Sequence, residues 1–355
     1  MTVEALLTQL NQHYPQWQPQ DAVKALYQRF FGCGHLIADE ALSLNRLQAE
    51  VRSLPPHTVS FWEPLGNGWG RFYLSPEPDA VPLLSQLNRM FSQSAAHPAA
   101  DPALFEAALD TLLRMAQMGA FTFSAEDTAS YLTDYRAAGC PCVSHSPQYR
   151  AAYQPAYRVL REEWYRCLSL LKPIEEGLST HPIFIVALDG PAASGKSTTA
   201  AALADLLSAP VIAMDDFFPT PVLRAQKQRS EKDPSVWTGG NIDSERFEAE
   251  VWTGLASGTA FSYRIFDCSR GGFAGRRCIP ASRLYIIEGS YSHHPLWRDR
   301  LNLRVFLTVS PEEQVWRILA RSDPETLQMF QQRWIPMENT YFAHCRVAED
   351  AHILL

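Results

Sequence analysis

One stretch constrains this chain more than any other. Residues 189–198 read DGPAASGKST, with Gly190, Gly195, Lys196 and Ser197 at the Walker A spacing Gly-x4-Gly-Lys-[Ser/Thr]. Such a loop works only between a strand and a helix. The run PIFIVAL before it is continuously apolar, as in a parallel strand buried on both faces. The run KSTTAAALADLL after it is alanine-rich and reads as a helix. In that setting the backbone amides of Gly190, Ala192, Ala193, Ser194, Gly195, Lys196, Ser197 and Thr198 turn onto phosphate oxygens, and the helix dipole adds positive potential. Lys196 reaches the β- and γ-phosphates, and the Ser197 hydroxyl holds Mg²⁺. ATP and Mg²⁺ are therefore the expected cofactors. The plainer alternative is a glycine-rich turn with an incidental lysine.

The loop begins only after half of the 355 residues have passed. A chain of that length exceeds one ordinary core, and two domains are expected. Residues 1–175 carry apolar residues at helical spacing, as in VEALLTQLNQHY, DAVKALYQRFFG and PALFEAALDTLLRMAQ, the last with Asp101 and Pro102 as a start signal. FWEPLGNGWGRFYL reads as a turn between short extended pieces. YRVLREEWYRCLSLLKP reads as a closing helix, and the polar KPIEEGLSTHP as the boundary. From residue 180 to 355 strands and helices alternate: PVIAMDD, RLYIIEGS, LNLRVFLTV and AHILL as strands, SERFEAEVWTGL and SPEEQVWRILARS as helices, the latter capped by Ser310. The expected fold is an α/β P-loop domain, a parallel sheet flanked by helices, preceded by a mostly helical domain.

Two acidic sites fall where open α/β sheets bind ligands, at the carboxyl ends of strands. In MDDFF, Asp215 or Asp216 can accept a proton from an acceptor hydroxyl; otherwise the pair caps a turn. If the strand continued through both, they would face opposite ways, so only one could serve. Glu288, ending YIIEGS, can hold Mg²⁺ through water or orient substrate; otherwise it is a solvated strand end. Glutamate here and the MDDFF loop point away from motor ATPases. No Asn-Lys-x-Asp stretch supports a GTPase, and no Leu-Ser-Gly-Gly-Gln stretch a transport ATPase.

Taken in order, these landmarks resemble the uridine kinase-like family of P-loop small-molecule kinases, which has phosphoribulokinase and pantothenate kinase as relatives. The resemblance covers residues 180–355. It matches DGPAASGKST to the phosphate loop and MDDFF to an Asp-Ser-Phe-Tyr segment whose first residue, Asp215, is the implied base. GGNIDSERFEAEV is similar to the segment that places Asn241 and Asp243 near substrate. YRIFDCSR is similar to the strand lining the acceptor pocket, implicating Phe266, Asp267 and Arg270, with Asp216 beside them. Glu288-Gly289 match the family's Glu-Gly pair, Arg317 and Arg321 its basic lid entry, and WIPMENTYF its Pro-x-x-Glu-x-Tyr region. The departures are specific. The glycine- and arginine-rich lid is replaced by SDPETLQMFQQRWIPMENTYF, where Arg333 is the late cation. Cys268-Ser269-Arg270 stand where nucleoside kinases have His-Ser-Arg.

The resemblance implies ATP-dependent phosphoryl transfer to a hydroxyl of a small molecule, with a homo-oligomer left open. A second class stays open beside it: a nucleotide-binding regulatory or sensor protein whose helical half binds a ligand or partner. The formal net charge of −7 disfavours nonspecific nucleic-acid or membrane binding. An early acidic residue without a basic segment argues against a secretory leader, and seven irregularly spaced cysteines fit reduced thiols in the cytoplasm. Cys33, His35, Cys140, Cys142 and His145 could gather as a metal site, but ordinary thiols are the simpler reading. His35, Arg71, His145, Tyr149 and Arg150, set among aromatics, either line a pocket or snorkel from a helical bundle.

Overall fold

The computed structural model describes residues 1–33, 37, 39–56, 58–76, 81–96, 102–230, 241–268 and 270–355, without the side chains of 81–83, 96 and 226–230. The chain divides into two compact units, Met1–Leu168 and Ser169–Leu355.

Amphipathic helices dominate the first unit: Val3–His13, Pro19–Phe31, Glu40–Ser53, Val81–Ala96, Pro102–Gln117, Ala125–Ala137 and Pro147–Tyr153. Their apolar stripes meet in one core that includes Leu6, Leu10, Leu26, Leu109, Leu112 and Leu132. Side-chain oxygens of Thr2, Asp39, Ser124 and Ser146 accept amide hydrogens at helix starts, satisfying donors that would otherwise be orphaned. Pro102 opens its helix as expected, whereas Asp101 lies outside the described residues.

A three-stranded antiparallel sheet crosses this unit: β1 (Trp62–Gly66), β2 (Trp69–Tyr73) and β3 (Tyr157–Arg161). Asn67-Gly68 turns the first hairpin, both at positive φ, the conformation such a tight turn requires. The third strand corrects the expectation of a helix at YRVLREEWYRCLSLLKP. Tyr157–Arg161 pairs with Tyr73–Trp69, and helices follow only at Glu162–Tyr165 and Leu168–Thr180. An open edge on β2 takes up those backbone groups, and tertiary pairing overrides a weak helical propensity.

Helix Leu168–Thr180 also runs through the stretch expected to be a polar boundary, with Pro173 inside it. Gly177 on this helix lies against Phe184, so tightly that an added Cβ would fall 1.9 Å from its ring.

The second unit is built on a five-stranded parallel sheet in the order β10-β9-β4-β8-β5. Its strands are β4 (Phe184–Asp189), β5 (Val211–Ala213), β8 (Leu284–Glu288), β9 (Leu303–Phe306) and β10 (Ile353–Leu354). The central strands β4 and β8 are buried along their whole length, which explains their uninterrupted apolar sequence. One face packs Ile185, Ala187, Ile212, Tyr285 and Ile287 with Phe247, Trp297 and Tyr341. Between β5 and β8 the chain forms a separate hairpin, β6 (Phe261–Asp267) with β7 (Gly272–Ile279). Ser310 caps helix Pro311–Leu319 as expected.

Candidate phosphate and acceptor site

Strands β4, β8 and β5 are neighbours in the sheet, so their carboxyl ends open onto one edge. Each delivers a candidate residue there: the phosphate loop after β4, Glu288 at the end of β8, and Asp215 just past β5. This is the edge at which open α/β sheets bind ligands.

The loop is built from below by Asp189, which is wholly buried. Its carboxylate accepts from the Gly190 amide (2.7 Å), the His293 amide (2.9 Å) and the Tyr341 hydroxyl (2.9 Å). Gly190 has φ of 143°, and a Cβ there would sit 2.3 Å from the Leu307 carbonyl oxygen. Only glycine fits that turn. Gly195, at φ of 100°, brings the chain round so that the helix starts at Lys196. The Lys196 ammonium folds back onto the carbonyls of Gly190 (2.7 Å) and Pro191 (2.8 Å). Gln314 and Arg317 donate to the carbonyls of Ala192 (2.9 Å) and Ala193 (3.1 Å). The Ser194 hydroxyl is buried without a hydrogen-bond partner.

Ser197 donates its hydroxyl to Glu288 at 3.1 Å. Burial, and then the charge of Asp215, push the Glu288 carboxyl up, against the Ser197 hydrogen bond and Lys196. Asp215 is also pushed up, by burial first and then Asp216, while Lys196 and Arg321 oppose. Its side chain is nevertheless exposed. Asp215, Glu288 and Lys196 thus form one electrostatic cluster, the donor set expected around a divalent cation and a phosphate chain.

The backbone separates the two aspartates differently from the sequence expectation. Met214–Phe217 is a tight 3₁₀ turn, not a continued strand. Asp216 is buried, accepting from the Tyr263 hydroxyl (3.0 Å) and pairing with Arg277 (3.1 Å). Asp215 is the exposed member of the pair, just past the carboxyl end of β5. Arg246, stacked over Phe217, reinforces the turn by donating to the Asp216 carbonyl (2.8 Å).

The remaining candidates divide by what they touch. Asp243 caps helix Ser244–Phe247 and pairs with Arg246 (3.3 Å); Asn241 is half-buried just ahead of it. Phe266 is buried on β6 and meets Phe273 edge-on. Asp267 pairs with the exposed Arg270 (3.4 Å) at the hairpin tip. The charge of Asp215 reaches the neighbouring Cys268, whose thiol is pushed up by burial first and by Asp215 next, so this tip lies near Asp215. Arg333 is exposed, and among the described residues no hydrogen bond or ion pair joins it to the phosphate loop. His35 lies outside the described residues. Cys142 contacts the Cys33 carbonyl and Cys140 the Glu106 carboxylate. Among the described residues no three His, Cys, Asp or Glu side chains cluster as a metal site.

Glu338 carried no assigned role in the sequence. Its carboxylate accepts from the Ala192 amide of the loop (2.8 Å) and the Ser290 hydroxyl (2.6 Å). Asp189 was likewise unassigned; its place directly after an apolar strand and before Gly190 was the only local signal.

A Walker A loop between the central strand of a parallel sheet and the helix that follows it makes Ser169–Leu355 a P-loop α/β unit. No family model matches the chain, and no curated protein matches it. Among solved structures it is similar to a "Possible Uridine Kinase" from Bacillus stearothermophilus, at 18% identity and TM-score 0.39, over 53% of this chain and 99% of that one. It is also similar to D-glycerate 3-kinase from Cryptococcus neoformans var. grubii, at 14% identity and TM-score 0.40, over 51% and 89%. These likenesses concern the fold.

Proposed function

We propose that the protein is an ATP-dependent kinase that phosphorylates a hydroxyl group of a small molecule. The observation that carries this reading is the convergence of Lys196, Ser197, Glu288 and Asp215 at the carboxyl ends of three adjacent strands. When bound, Mg-ATP supplies the transferable phosphoryl group and a cation to screen its charge. The amides from Gly190 to Thr198 hold the phosphate oxygens. Lys196 exchanges its two loop carbonyls for the β- and γ-phosphates. Ser197 and Glu288, which hydrogen-bond each other at 3.1 Å, are the residues that would hold the cation. Asp215 takes the proton of the acceptor hydroxyl as that oxygen bonds to phosphorus and the bond to the β-phosphate breaks. Arg317 and Arg321, with Arg333 as the third candidate, stabilise charge on the transferring group. Asp216 positions the turn through Tyr263 and Arg277. The hairpin tip with Phe266, Asp267 and Arg270, and the segment with Asn241 and Asp243, flank the acceptor. Most of the catalysis is positioning and electrostatics.

Calorimetric titration of ATP with Mg²⁺ tests the foundation. Wild-type protein should bind in the micromolar to millimolar range, and Lys196→Ala should weaken that binding about tenfold or more. Equal affinity in both would remove the loop from the mechanism. ADP release across a panel of hydroxyl compounds then separates the two classes, since a kinase releases ADP with its acceptor and a sensor does not. The sensor reading draws support from one feature of the first unit, described next.

A further inference from the structure

Strand alternation places Trp69, Arg71 and Tyr73 on one face of β2, and register sets Glu63 opposite Arg71 and Tyr157 opposite Tyr73. An arginine is thereby carried into the core, only 1% exposed. Its guanidinium donates to Gln28 (2.8 Å) and Glu63 (2.8 Å) and lies 4.9 Å from the Tyr157 ring centre. The Nη2 atom is buried and has no hydrogen-bond partner among the described residues. A buried charged donor without an acceptor is costly, and natural proteins rarely leave one so without a water, ion or ligand to meet it.

The charge balance around Arg71 points the same way. Lys24 is half-buried, and its ammonium donates to the Val143 carbonyl (2.8 Å). Arg150 donates to the His145 carbonyl (3.0 Å). Neither has a carboxylate partner among the described residues. Neither carboxylate of the cluster pairs with Lys24 or Arg150 among the described residues. Glu63 accepts from Arg71 and from the Tyr14 hydroxyl (2.7 Å). Asp21 accepts from His145, Ser146 and the Gln18 amide. His145 adds no charge near neutrality, because burial holds it at about 4. Three cations therefore face two carboxylates: Arg71 is buried, Lys24 half-buried and Arg150 exposed. Burial, then the charge of Arg71, push the Lys24 ammonium down, and Arg150 adds to that repulsion.

The cluster is also reachable. Tyr157 keeps accessible surface, yet burial raises its hydroxyl to about 12. Tyr73 shows the same combination. Tyr73 and Tyr157 lie ring to ring at 5.2 Å, so both accessible side chains belong to one aromatic patch beside Arg71. We propose that the unit Met1–Leu168 binds a small molecule through a carboxylate or phosphate group, which meets the orphaned Nη2 of Arg71 and the unpaired charges of Lys24 and Arg150. The site supplies what such a group needs: a planar donor with free N–H groups, two further cations and a low-dielectric surround. It belongs to a different unit from the phosphate loop and does not depend on the kinase reading.

The test uses the full chain carrying Lys196→Ala, so that the phosphate loop contributes little. Benzoate and phenyl phosphate are titrated separately by calorimetry. At least one should bind, and Lys24→Met and Arg150→Met should each weaken it about tenfold. Both replacements lie at half-buried or exposed positions, so thermal melting should show the fold intact; Arg71→Met should abolish binding but also loosen the core. Preference between the two titrants identifies the anionic group. Absence of binding by both at tens of millimolar overturns the proposal, as does binding that neither cation replacement weakens. A crystal structure of the titrated protein with only an ordered water on Arg71 Nη2 would overturn it as well.

Discussion

Acidification should unfasten the first unit through one residue, His145. Its ring is 7% exposed and stacked on Tyr149. One nitrogen meets Asp21 (2.8 Å) and the other the Tyr157 hydroxyl (2.6 Å). With Nδ1–H donating to Asp21, Nε2 accepts from Tyr157, and a second proton would force the Tyr157 hydroxyl, which already accepts from Gln28, to turn from donor to acceptor. Burial is the main reason the ring is hard to protonate. Arg71 and Lys24 add to it, and Asp21 only partly compensates, leaving a value of about 4 against 6.5. The sign follows from proton counting. Between those values the unfolded chain binds a proton that the native ring refuses, so stability falls as pH falls from 6.5 towards 4. At about 1.4 kcal/mol per pH unit the whole window is worth about 3 kcal/mol, of which about 2 kcal/mol is gone by pH 5. Asp21 adds its own loss only further down. Burial opposes its ionisation, but bonds from His145, Ser146 and Gln18 outweigh that and hold it below its usual value. Amide hydrogen exchange over residues 143–160, corrected for intrinsic rates, measures the opening free energy. It should drop by about 2 kcal/mol between pH 7 and pH 5, and His145→Asn should lose that dependence while being less stable at pH 7. Unchanged protection in the wild type, or an equal drop in the variant, would refute the account.

Further outcomes follow from the second unit. Asp215→Asn should lower single-turnover phosphoryl transfer about 10²-fold with ATP affinity little changed. Asp216→Asn should cost less transfer but lower the melting temperature, since it loses the charge that holds Arg277 beside Tyr263; the opposite ranking would reverse the assignment. A fragment beginning at Ser169 should melt cooperatively and bind ATP. One beginning at Ser179 discards Gly177 and the Leu178 carbonyl that Arg283 holds, and should melt lower; equal melting would show that this helix does not support the sheet.

Much of the second unit could be read locally. The loop declares itself because glycine at two fixed positions, lysine and a hydroxyl are requirements of backbone geometry and phosphate chemistry, not of a distant partner. Strands β4 and β8 are apolar up to the acidic residue that ends each, because both faces are covered, and that burial is written into each segment separately. Helices with hydroxyl or carboxylate caps, such as that after Ser310, are legible for the same reason.

Other features depended on partners far along the chain. YRVLR fits a helix or a strand equally well, and the free edge of β2 decided for a strand. The pair Asp215-Asp216 carries no sign of which residue turns inward; Tyr263 and Arg277 on the hairpin, 47 residues away at the nearer, decided it. Glu338 meets the Ala192 amide across 146 positions, and Asp21 meets His145 across 124. The sequence alone determined the chemistry of the phosphate loop and the α/β order around it, because covalent neighbours suffice for a turn and for the period of a buried strand. The tertiary structure decided which aspartate of the pair is buried and that Arg71 lies in the core of the first unit near Lys24, because a charge's partner is set by what packing brings beside it and by the solvent that packing removes.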